Sequence, residues 1–202
     1  MLYYGRTKER GMCMREKTVC FSGHRPEKLP GPNSEDAQLL MMVKSLLYYQ
    51  IRRSAEEGYT RFITGLARGV DLWAAGYVLE LKRDFSGLQL ICVKPTENHG
   101  KNFRGEDRYL FDSVLARADE MYCTGSHYTR RCYQIRNRYM VDHAQRLIAV
   151  VDDYNSGTGQ TIGYARKCGL ELCVIDIGKL RDKAEAEPDE PIIAPLQANF
   201  KI

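Results

Sequence analysis

Three short segments combine glycine with small polar and cationic residues in a way that suits anion binding. Gly23-His24-Arg25 follows one apolar run, and Thr64-Gly65-Leu66-Ala67-Arg68-Gly69-Val70-Asp71 joins a second run to a helical pattern. Ser156-Gly157-Thr158-Gly159-Gln160-Thr161 comes just after a third. A strand that turns on glycines into a helix presents free backbone N–H groups together with the positive end of the helix dipole. Phosphate is the usual biological anion to fill such a place. Arg68 lies within its turn and could add a charge-assisted contact. The plainer reading of that segment is that Gly65 and Gly69 only permit the turn and that Arg68 is solvated.

The elements that must hold these segments can be read from the hydrophobic pattern. Thr18–Ser22, Arg61–Thr64, Leu88–Val93, Glu120–Cys123, Arg146–Val151 and Glu171–Asp176 read as short apolar strands. Between them, Leu40, Val43, Leu47, Ile51 and Ala55 run at helical spacing after a candidate N-cap at Ser34. Leu72, Ala75 and Leu79 repeat the pattern. Further helices are expected over about 106–118, with Tyr109, Leu110, Val114 and Leu115 inward, over about 131–143, and over 161–168. Continuous apolar strands alternating with helices predict an α/β fold. It is a Rossmann-like, doubly wound, mainly parallel sheet of about six strands with helices on both faces. Ligands bind such sheets outside the carboxyl ends of the strands. The three glycine segments all follow strands, so all are expected on that one edge.

Composition narrows the function classes. The chain has 202 residues, enough for one domain with a proper core. A formal charge of +4 permits an anionic ligand without announcing a nucleic-acid binder. The seven cysteines include no C-x-x-C pair and no histidine at zinc spacing, so no metal site is expected. Cys20, Cys92, Cys123 and Cys173 lie in strand-like runs, as small buried hydrophobes do. An odd count with no secretory signal is expected of a reducing cytoplasm, and no run is long enough to cross a membrane. Residues 1–16 read as a flexible leader, 17–178 as the folded domain, and 179–202, rich in Lys, Glu, Asp and Pro, as a charged tail.

The set of motifs resembles a known superfamily. It is that of the Rossmann-like SLOG proteins, which groups DprA-type DNA-processing proteins with LOG-type phosphoribohydrolases; within it, the likeness is to the YpsA-like group. Cys20-Phe21-Ser22-Gly23-His24-Arg25-Pro26 resembles the first-strand signature of that group, and Phe62 through Asp71 is similar to the segment of DprA proteins. Arg136-Asn137-Arg138-Tyr139-Met140 resembles the Arg-Lys-x-x-Met segment of LOG proteins. Ser156-Gly157-Thr158, followed by Thr161, resembles their Gly-Gly-x-Gly-Thr phosphate loop.

The resemblance implies a pocket for a nucleotide or nucleotide-derived small molecule, of the ADP-ribose or NAD kind. Phosphate would lie at Gly157 and Thr158, with the amide of Gly159 beside them, and Arg68 and Arg136 would act as clamps. The base or ribose would lie toward Gly23, His24, Arg25 and the 65–71 segment. Two departures bear on catalysis. The LOG glutamate after Gly-Thr is absent, and the LOG lysine is Asn137 here. A carboxylate to assist water in N-glycosidic hydrolysis would have to be Asp152, Asp153 or Asp71. Their plainer roles are turn residues and a helix first-turn charge. Binding, as sensor, carrier or sequestering protein, is therefore expected ahead of a hydrolase, and the catalytic residues are unknown. The DprA-like alternative expects single-stranded DNA on Arg130, Arg131, Arg136 and Arg138 interleaved with Tyr128, Tyr133 and Tyr139. A second copy of the chain is a further expected partner.

Overall fold

The computed structural model describes residues 16–31 and 36–186. The expected cap at Ser34, the leader up to residue 15 and the chain beyond 186 lie outside those residues. Six strands form one sheet in which every pairing is parallel: β1 (Thr18–Gly23), β2 (Arg61–Thr64), β3 (Gln89–Lys94), β4 (Glu120–Cys123), β5 (Arg146–Val151) and β6 (Glu171–Asp176). Their order is β4-β3-β2-β1-β5-β6. The helices are α1 (Ala37–Glu56), α2 (Val70–Leu81), α3 (Gly105–Arg117), α4 (Cys132–Asp142), α5 (Gly157–Lys167) and α6 (Ile177–Ala186), with a 3-10 turn at Pro26–Lys28. This is the doubly wound Rossmann-like α/β fold.

Strand parity divides the core. Side chains alternate across a strand, so Val19 and Phe21 of β1 join one apolar cluster with α1, α2 and α3. Cys20 joins the other, with Met140 of α4 and Ile162 and Ala165 of α5. Phe62 and Ile63, Leu90 and Ile91, and Ile148 and Leu147 divide in the same way. A sheet covered on both faces needs strands that are apolar throughout, which is why β1 and β5 read as unbroken runs. Full burial of a side chain such as Phe21 contributes about 1.5–3 kcal/mol, so these two layers hold the sheet edge rigid.

Several local expectations change. Helix α5 begins at Gly157 rather than 161, because Ser156 caps it: its hydroxyl oxygen accepts from the Gly159 amide at 3.2 Å. Tyr109 points outward, 79% exposed. Val114, Leu110 and Leu115 do face the core as expected, joined by Phe111, which lies about 200° round the helix from Tyr109. Cys123 is exposed because β4 is the uncovered edge strand. Helix α6 runs from Ile177 to Ala186, so residues 179–186 of the stretch expected as a charged tail are helical. Among the described residues no helix is long and apolar enough to cross a membrane.

Candidate functional site

The strand order reverses between β1 and β5. The chain leaving β1 runs to the layer of α1, whereas that leaving β5 runs to the layer of α5, so their carboxyl ends part and leave a crevice. A cleft of about 420 Å³ opens there. Ser22, Gly23, His24, Arg25, Glu27 and Lys28 line it from β1 and the turn that follows. Ala67 and Asp71 come from the β2–α2 segment, Tyr133, Arg136 and Asn137 from α4, and Ser156, Gly157 and Thr158 from the start of α5. The three glycine segments do meet on one edge.

The first turn of α5 is its clearest anion-binding feature. Helix N-termini leave their first N–H groups without intrahelical partners. Ser156 consumes that of Gly159 and anchors itself by donating from Oγ to the Asp153 carbonyl at 2.5 Å. The amides of Gly157 and Thr158 have no partner among the described residues. A Cβ added at Gly157 would meet nothing within 4 Å, so space lies directly over that turn. Asn137 Nδ2 donates to Thr161 Oγ1 at 2.9 Å, and Thr161 donates back to the Gly157 carbonyl at 2.8 Å. These bonds fix α5 against α4.

Arg136 reaches the cleft by an unusual route for a helix-borne arginine. It is 3% exposed, although Ile135 beside it is 49% exposed. Its guanidinium lies across the backbone at Gly65. An alanine Cβ there would come within 1.5 Å of Arg136 Nη1 and 2.6 Å of Asp71 Oδ2. Nη1 donates to Asp71 Oδ2 at 3.3 Å, while the buried Nε has no partner among the described residues. Asp71 also accepts from the Ala67 amide at 3.4 Å. Burial pushes the Asp71 carboxyl up, against the pull of Arg136, and burial lowers the pKa of Arg136. An arginine with most of its donors unused, lining the same cleft as two amides without partners among the described residues, is equipped to receive an anion.

His24 ties the two diverging strands together. The backbone amides of Asp152 and Asp153 donate to its Nε2 at 2.9 and 3.2 Å, so the ring is neutral with its proton on Nδ1. Burial and Lys28 lower its pKa, consistent with that state. His99 braces the opposite wall. Its Nε2 donates to the Leu66 carbonyl at 2.9 Å, holding Leu66 at a φ of 59°, and its ring packs edge-on against Phe103, Phe111 and Tyr133. Burial pushes the His99 pKa down to about 4. Arg25 lies over the Tyr133 ring, 5.2 Å from its centroid.

The remaining expected residues fall elsewhere. Arg68 is turned from the cleft into ion pairs with Glu27 and, at 3.6 Å, with Asp107. Gly69, at a φ of 82°, packs under the His24 carbonyl, where a Cβ would come within 2.7 Å. Gly65 makes room for Arg136, Gly159 serves the cap, and Thr161 lies on the neighbouring groove. Asp152 and Asp153 do not line the cleft. Asp152 faces Arg181 at 3.8 Å, and Asp153 accepts from the Asn155 amide and faces Lys28 at 3.8 Å. Ser22 and Ala67 also line the cleft; both lie within motifs read from the sequence but were not singled out there, whereas Glu27 and Lys28, which line it too, carry no local signal. Among the described residues no group of His, Cys, Asp and Glu is arranged to hold a metal.

Comparisons agree with this geometry at the level of family and fold. The model of the YspA SLOG family matches residues 19–167. A UPF0398 protein of Staphylococcus epidermidis is 25% identical over 141 residues, covering 68% of this chain and 73% of that protein. A UPF0398 protein of Bacillus cereus is 24% identical over 152 residues, covering 72% and 80%. Among solved structures, DNA processing protein A of Helicobacter pylori, described with a single-stranded DNA binding mode, gives a TM-score of 0.56. Its identity is 17%, over 87% of this chain and 74% of that one, and such a likeness speaks to the fold alone.

Proposed function

Because the chain belongs to the YspA SLOG family, we propose that its cleft binds a nucleotide or nucleotide-derived small molecule, of the ADP-ribose or NAD kind. It would do so as a sensor, carrier or sequestering protein. One observation carries this reading: the unpartnered amides of Gly157 and Thr158 open on the same cleft as Arg136, whose buried Nε is also unpartnered. Phosphate would take those amides and the guanidinium together. Ser156 sets the turn, and Gly23, His24, Arg25 and Asn137 flank the space left for ribose and base. The cleft volume suits such a ligand.

Hydrolysis is less well supported. A glycosidase-like step needs a carboxylate beside the scissile bond. Asp152 and Asp153 lie outside the cleft, and Asp71 is engaged with Arg136. Single-stranded DNA, the ligand named for the Helicobacter pylori protein, is a second reading, favoured by the cationic rim at Arg130 and Arg138.

The test is a thermal-shift and titration series with AMP, ADP-ribose, NAD and a short oligonucleotide, each followed by product analysis. A ligand at about 100 times its Kd adds roughly 2.7 kcal/mol of stability. Gly157→Asp places a carboxylate where phosphate would lie without steric conflict. An acid in a helix first turn is also favourable, so the melting temperature should hold while the ligand-induced shift disappears. Undiminished affinity in G157D would overturn the reading, and turnover of the bound nucleotide would establish an enzyme.

A further inference from the structure

A second groove, of about 550 Å³, runs between α4 and α5 and meets the cleft at Tyr133, Asn137 and Gly157. Its charge is one-sided. Arg130, Arg138 and Lys167 line it, and among the described residues no Asp or Glu does. On other helices Arg52, Arg53 and Arg108 each pair with a carboxylate one helical turn on. None of the three groove cations forms an ion pair among the described residues, and Arg138 only lies over the Tyr164 ring, 5.2 Å from its centroid. Three unmatched positive charges in one concave wall raise the local potential and draw in an anion. The Asn137–Thr161 bond forms the saddle between the groove and the cleft and keeps their separation constant.

We propose that the groove is the second half of one extended site, and that the ligand carries two phosphate-linked nucleoside units. One phosphate is held at Gly157, and the next lies across the saddle against Arg138 and Lys167. This rests on the reading of the cleft as a phosphate site and adds the size and charge of its ligand. The same chemistry is offered by a free dinucleotide and by a stretch of single strand.

The probes are AMP, the linear dinucleotide pApA and a fifteen-nucleotide oligo-dT, titrated against wild-type protein and the R138Q/K167Q variant. Both side chains are exposed, so the variant should keep the wild-type melting temperature. At least one two-phosphate probe should bind about ten-fold tighter than AMP, the worth of one charge-assisted contact. R138Q/K167Q should remove that gain and leave AMP affinity unchanged. A gain for pApA alone identifies a free dinucleotide; a gain for the oligonucleotide that falls steeply with salt identifies a strand. Equal affinities for all three probes, or a gain that survives in R138Q/K167Q, would overturn the extension. If AMP binding is then still lost in G157D, the cleft reading stands alone. Binding of none of the probes would overturn both.

Discussion

At the amino edge of the sheet, Arg146 opens β5; at the carboxyl edge, Arg136 enters from α4. The two are buried alike, at 5% and 3% exposed, and in both Nε lacks a partner. Their other donors differ. Arg146 donates to Ser54 Oγ at 2.8 Å, to Glu57, and to both oxygens of Glu171 at 2.7 and 2.8 Å, and it lies 4.2 Å over the Tyr59 ring. Among the described residues Arg136 makes one side-chain hydrogen bond, at 3.3 Å, to an aspartate that burial already disfavours as an anion. Arg146, with both terminal nitrogens engaged, ties strands and helices together. Arg136, with most of its donors unused beside open space, is the group on which the proposed phosphate contact rests, and leaving such donors unpaired costs local stability.

The largest effect that would break this comparison is on stability. Arg146→Met strips Glu57, Glu171 and Ser54 of their common partner and, since both carboxylates reach solvent, should cost about 1.5–3 kcal/mol by chemical denaturation, with nucleotide affinity unchanged. Arg136→Met should also cost stability, because it leaves the buried Asp71 without its ion-pair partner, and should abolish binding. Its deficit should also shrink as pH falls from 8 toward 5, because an unpaired buried Asp71 is stabilised by taking up a proton. If the two variants show equal, pH-independent losses, the contrast fails.

Gly65→Ala is next, at about 2–3 kcal/mol, since the new methyl occupies the place of the guanidinium. The loss should be partly recovered in the Gly65→Ala, Arg136→Met double variant, as measured by a double-mutant cycle. Strict additivity would mean that Gly65 is there for another reason.

A smaller effect concerns pH. Neutral His99 is favoured in the fold, with its pKa lowered from 6.5 to about 4. The folded state therefore binds fewer protons than the unfolded one between those values, and stability present above pH 6.5 is lost as pH falls through that window. At pH 5 the loss attributable to this ring is about 2 kcal/mol. His99→Gln keeps a donor for the Leu66 carbonyl and removes the titration. Denaturation curves at pH 7 and 5 should show a smaller drop for H99Q, with the remainder including His24. An identical drop would show that His99 is not held neutral.

Much of the molecule was readable from the chain alone, because the signals are local. Strand runs, helical spacing and the glycine segments report which conformation a few neighbouring residues prefer, and a parallel sheet follows from their alternation. Once the strands are parallel, the carboxyl-edge convergence of Gly23–Arg25, 65–71 and 156–161 follows too. What the glycines are for did not follow. Gly157 leaves open space, Gly65 admits an arginine from another helix, and Gly69 lets α2 start beneath β1, yet all three look alike in sequence. Nor did charge state or partner. Arg68 and Arg136 read as equivalent clamps until folding set Glu27 and Asp107 against one and Gly65 and Asp71 against the other. Those partners are distant in sequence, and they meet only through strand order and helix packing. Local patterns in the chain therefore specify the fold and the edge on which the glycine segments meet. Which cations on that edge are already neutralised, and which keep unused donors, follows from contacts between elements far apart in sequence.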